Sequence, residues 1–76
     1  MIIKAKDKGD FFYSKMELLN NGIKYKNYLY NFNEIVAFSY DLSILTLKRS
    51  WGNVNIKQSD KDKMLNYAKE YGIVIR

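Results

Sequence analysis

Apolar and polar residues alternate along most of this chain, and the period lengthens to that of a helix only once, after Ser59. Period two sends successive side chains to opposite faces of a strand, so such a chain must fold as antiparallel sheet with one face buried. From Met1 to Lys6, Met1, Ile3 and Ala5 alternate with Ile2, Lys4 and Lys6, and Asp7-Lys8-Gly9-Asp10 ends the run. From Phe11 to Leu19, Phe12, Ser14, Met16 and Leu18 share one face, opposite Phe11, Tyr13, Lys15 and Glu17.

Asn21-Gly22 is the sharpest local signal. A type I′ turn needs positive φ at both central residues, and Asn and Gly tolerate it best. Pairing around it sets Leu18 opposite Tyr25 and Glu17 opposite Lys26. A second tight turn at Lys26-Asn27 pairs Ile23 and Tyr25 back on Tyr30 and Tyr28. Three more strands are expected over Ile35 to Tyr40, Leu42 to Lys48 and Asn53 to Gln58.

Ser59 then reads as an N-cap with Asp62 at the third helical position. Met64, Leu65, Ala68 and Tyr71 form one stripe, and Gly72 stops the helix. The expected fold is α+β, mostly β: a curled antiparallel sheet or partly open barrel of about six strands with one C-terminal α-helix. Residues 1–76 form a single domain, because a chain this short buries only about 60% of its unfolded surface and builds one core. Met16, Leu18, Ile23, Leu45, Leu47, Val54, Ile56, Met64, Leu65 and Ala68 should supply that core.

Composition narrows the chemistry. The chain has no cysteine and no histidine, which removes thiolate chemistry, the commonest metal ligand and the commonest general base. Glu34 and Asp41 have nothing to poise them as an acid–base pair, and Glu34 is expected to cap backbone N–H groups instead. Asp60 and Asp62 fall in the first helical turn, where the macrodipole favours acids. No cofactor and no enzymatic activity are expected. No apolar run approaches the ~20 residues of a membrane-spanning helix, so the reading is a cytoplasmic protein, monomer or homodimer. The net charge of +5 points towards anionic partners. It comes mostly from lysine, which contacts phosphate without the bidentate reading of guanine that arginine gives. The Lys-, Asn-, Ile- and Tyr-rich mixture is also what an AT-rich genome produces.

Glu17, the hairpin Gly22-Ile23-Lys24-Tyr25-Lys26, the corner Phe32-Asn33-Glu34-Ile35 and the long hairpin Leu45 to Ile56 resemble the small bacterial pleckstrin-homology-like domains. The resemblance spans Met16 to Gln58, and the helix Ser59 to Tyr71 sits where that fold places its capping helix. The family usually has seven strands, one more than is counted here. The resemblance implies a binding module for peptides, protein surfaces or anionic headgroups, with no active site of its own.

Two surfaces emerge as candidates. Trp51, with Arg49 and Lys48, occupies a hairpin tip from which a large ring reaches the core only by folding back over the sheet edge. Exposed, it would serve a protein partner, since Trp and Arg dominate interface hot spots. Lys24, Lys26, Tyr28, Tyr30 and Lys57 would form a basic, aromatic sheet face for nonspecific nucleic-acid binding, although tyrosines on half-buried strands also pack simply by their rings. The leading expectation is a non-enzymatic module that occupies a protein partner. By profile alone, short cysteine-free chains of this kind resemble phage-encoded inhibitors of host defence nucleases.

Overall fold

A computed structural model describes residues 1–49 and 53–76. Among them are the strands β1 (Ile2–Asp7), β2 (Ser14–Leu19), β3 (Gly22–Tyr25), β4 (Tyr28–Tyr30), β5 (Ile35–Ser39), β6 (Ile44–Leu47) and β7 (Asn53–Ile56), and the helix α1 (Lys61–Tyr71). The seven described strands form one antiparallel sheet in the order β4-β3-β2-β1-β7-β6-β5, curled into a nearly closed barrel. The architecture is the expected one with seven strands in place of about six.

Alternation places the core. Ile3 and Ala5 from β1, Met16 and Leu18 from β2, Leu45 and Leu47 from β6, and Val54 and Ile56 from β7 all point inward and are buried. A register shift between Ile35 and Ala37 lets Ala37 and its neighbour Phe38 both turn inward, as a bulge does. Met1 is exposed, and β2 begins only at Ser14, so Phe11, Phe12 and Tyr13 belong to a loop.

Both tight turns form, with their roles exchanged. In the first hairpin Leu18 faces Ile23, Glu17 faces Lys24 and Met16 faces Tyr25, so the turn is Asn20-Asn21 and not Asn21-Gly22. Gly22 is already in β3 at φ +146, and a Cβ there would collide with the carbonyl oxygen of Tyr30. This close approach and the positive φ, rather than a place in the turn itself, are what require glycine. The slip is by two residues and leaves every side chain on its expected face. The type I′ geometry appears instead at Lys26 (φ 49) and Asn27 (φ 63), with Ile23 facing Tyr30 and Tyr25 facing Tyr28 as expected.

The helix closes one end of the barrel through Met64, Tyr67 and Ala68, all buried. Leu65, expected in the core, is only half-buried, and Tyr67 takes the inner position. The Tyr67 hydroxyl lies 2.7 Å from Leu19 O and 2.9 Å from Gly22 O, so it can donate to the carbonyls flanking the first turn. Phe32 stacks on Tyr71 at 5.1 Å. Ser59 is not the N-cap. It sits in a 3₁₀ turn, Gln58–Asp60, and Asp60 precedes the helix. Neither neighbouring carboxylate caps the helix: Asp60 accepts from the Lys4 backbone N–H (2.9 Å) and Asp62 from the Tyr40 hydroxyl (2.6 Å). Both tie the helix to the sheet, where the unpaired β1 amide gains more from a carboxylate than a solvated helix end would. Gly72 ends the helix at φ 73. Residues 73–76 return along β5: Ile75 bridges Phe38 in parallel, and Phe38 N donates to Val74 O at 2.8 Å.

Burial pushes the Tyr67 phenol up to about 12. Tyr67→Phe should lower stability by about 1–2 kcal/mol at neutral pH, measured by denaturant unfolding. A raised folded-state pKa means that this stability is present below the ordinary value of 10 and is lost as pH rises through 12. The gap between wild type and variant should therefore narrow over that window.

Candidate functional site

The β1–β2 loop is tied at its base by hydrogen bonds and ion pairs and exposed at its tip. Asp10 N donates to Asp7 O (3.0 Å), and Asp7 N donates to Asp10 Oδ2 (3.0 Å). The Lys26 ammonium, at the β3–β4 turn, lies 2.9 Å from both Asp7 Oδ2 and Asp10 Oδ2, and the Tyr25 hydroxyl donates to Asp7 Oδ1 at 3.2 Å. The Lys26 hydrogen bond holds the Asp10 carboxyl below its usual value, and the two carboxylates raise Lys26. Burial, and then the Asp7 charge, push the Tyr25 phenol up. Beyond this clamp, Phe11 is 92% exposed and Phe12 83%.

Tyr13 joins the loop to a basic sheet face. The ammonium groups of Lys6 and Lys57 lie 5.0 and 5.6 Å from its ring centroid. On the outer face of the central strands, Lys4 stands directly opposite Lys15, and Lys57 N donates to Lys4 O (2.9 Å), which brings Lys57 alongside. Like charges directly opposite on a sheet destabilise it. Among the described residues, ion pairs engage only Lys26 and Lys63, so Lys4, Lys6, Lys15 and Lys57 face solvent without a carboxylate at contact distance. A shallow groove next to the row is lined by Ser14, Lys15, Glu17, Lys24, Lys26 and Asn27.

The residues anticipated from the sequence are dispersed. Lys24 is exposed opposite Glu17, while Lys26 is committed to Asp7 and Asp10. Tyr30 is buried, with its ring 4.6 Å from that of Tyr28 in an edge-on arrangement. The Tyr28 hydroxyl donates to Glu34 Oε2 (2.8 Å), which raises its pKa, and the Arg49 guanidinium lies 4.4 Å over its ring. Lys57 alone belongs to the basic row. Lys48 is exposed, and its backbone N–H donates to Glu34 O (2.9 Å). Trp51, with Ser50 and Gly52, lies outside the described residues. Glu34 Oε1 accepts from Asn31 N at 3.4 Å, the capping role anticipated for it. Among the described residues no cluster of acidic side chains could hold a metal ion, and no helix is long and apolar enough to cross a membrane.

Comparison with protein-family models, curated proteins and solved structures finds no match to this chain. The site therefore rests on its own geometry. Replacing both Phe11 and Phe12 by serine should change unfolding free energy by less than about 0.5 kcal/mol, because neither ring contributes to the core. Denaturant titration of the doubly substituted chain checks this.

Proposed function

We propose that this chain is a small, non-enzymatic binding module of the pleckstrin-homology-like type, acting by occupancy of a protein partner. The observation that carries the reading is the pair Phe11-Phe12, two adjacent rings almost fully exposed above a loop whose base is clamped by Lys26, Asp7 and Asp10. Adjacent exposed aromatic rings on a fixed loop mark an interaction site, because burying each in a partner contributes roughly 1.5–3 kcal/mol. Holding the loop in advance reduces the ordering cost of binding. The family reading is supported by the seventh strand and by a helix that closes one end of the barrel.

Nonspecific nucleic-acid binding is the second reading, favoured by the unpaired lysines at positions 4, 6, 15 and 57. Affinity capture from the source cell, analysed for protein and nucleic acid together, separates the two. The wild-type chain should retain a protein, and the Phe11→Ser, Phe12→Ser chain should bind it at least about thirtyfold more weakly while remaining folded. Retention of nucleic acid alone, or capture indifferent to both phenylalanines, would overturn the proposal.

A further inference from the structure

The aromatic loop and the lysine row are continuous through Tyr13, and from their chemistry we infer that the partner docks through an acidic, apolar-bearing extended segment. Its carboxylates lie across Lys57, Lys4 and Lys15, and an apolar side chain covers Phe11 and Phe12. This inference rests on the reading of the loop as a protein-docking surface, and it names what that protein must present.

The free protein carries an unfavourable arrangement that such a segment relieves. Lys4 and Lys15 are cross-strand neighbours, Lys57 lies beside Lys4, and the ion pairs among the described residues engage none of their three ammonium groups, the Asp60 carboxylate being occupied by the Lys4 amide. A carboxylate placed between them turns repulsion into attraction without moving the sheet. The groove next to Lys15 adds Lys24, the Ser14 hydroxyl and the Asn27 amide as further partners for an acidic group, with Glu17 opposite Lys24 on its wall.

A nucleic-acid strand fits this surface less well, for three reasons. The row crosses only three strands, so it is about 10 Å long, shorter than the phosphate tracks of single-strand binders. Acids flank it: Glu17 follows Lys15 on β2 with one residue between, and Asp60 accepts from the Lys4 amide, so a strand whose phosphates spread beyond the row meets repulsion. Finally, the ring of Tyr13, the aromatic among the lysines, already engages two ammonium groups, with which a stacking base would compete.

The test uses the intact protein and three probes: a fluorescent peptide of alternating glutamate and leucine, the same peptide with glutamine in place of glutamate, and an oligothymidylate of equal length. Anisotropy at near-physiological salt should show the glutamate peptide binding at least about tenfold more tightly than either alternative. Backbone shift changes should be centred on Phe11, Phe12, Lys4, Lys15 and Lys57. Lys15→Glu should weaken peptide binding at least about tenfold and yet raise the thermal midpoint of the free protein, because it replaces a like-charge pair with an opposite one. Lys15→Arg should retain binding. A purely structural lysine would not move stability and binding in opposite directions. Tighter binding of oligothymidylate, or peptide binding indifferent to both glutamine replacement and Lys15→Glu, would overturn the inference. If a captured partner depends on Phe11-Phe12 but not on Lys15, this inference fails while the binding-module reading stands. Dependence on neither removes both.

Discussion

Everything in this fold hangs on β1. It pairs with β2 along one edge and with β7 along the other, so the first strand of the chain becomes the middle of the sheet. Its two buried side chains, Ile3 and Ala5, pair with Met16 and Ser14 on one side, and Ala5 pairs with Ile56, about fifty positions away, on the other. The two halves of the sheet, β4-β3-β2-β1 and β7-β6-β5, join only through the β1–β7 pairing, so the loop-closure entropy of that long span is offset by the core the joining completes. The lysine row inherits this dependence. Lys4 meets Lys15 and Lys57 only because β1 is shared.

The architecture could be read from the chain because alternation survives small errors. The first hairpin is displaced by two residues from the register that Asn21-Gly22 implies, but an even slip keeps Leu18, Met16, Ile23 and Tyr25 inside. What propensity could not reveal was why Gly22 is glycine. The requirement comes from a positive φ inside β3 together with the Tyr30 carbonyl, a contact made across β3 and β4. Likewise Ser59 has the chemistry of a cap, but a tertiary partner for Asp60, the amide of Lys4, decides where the helix starts.

The binding surface was much less legible. Phe11, Phe12 and Tyr13 continue the alternation of β2 and so look like strand residues; only the three-dimensional position of the turn Asp7–Asp10 shows that they lie outside the sheet. Lysines at 4, 15 and 57 have no sequence relationship, and nothing short of the strand order reveals that they are neighbours. Lys26 looked free because its two acidic partners, Asp7 and Asp10, precede it by a full strand and loop. A signal was available for the loop: three consecutive aromatics beside a Gly-containing turn exceed what one face of a strand can bury.

The return of residues 73–76 along β5 has a bearing on how the fold avoids pairing with other chains. Backbone groups of Phe38 that would otherwise face outward are taken by Val74 and Arg76, so the chain covers part of its own sheet edge. Displacement of Val74 to Arg76 from that edge would leave Ile73 packed in the core, yet would turn a self-limiting fold into a template for strand-by-strand assembly. The segment Val74 to Arg76 thus guards an open strand edge against self-association.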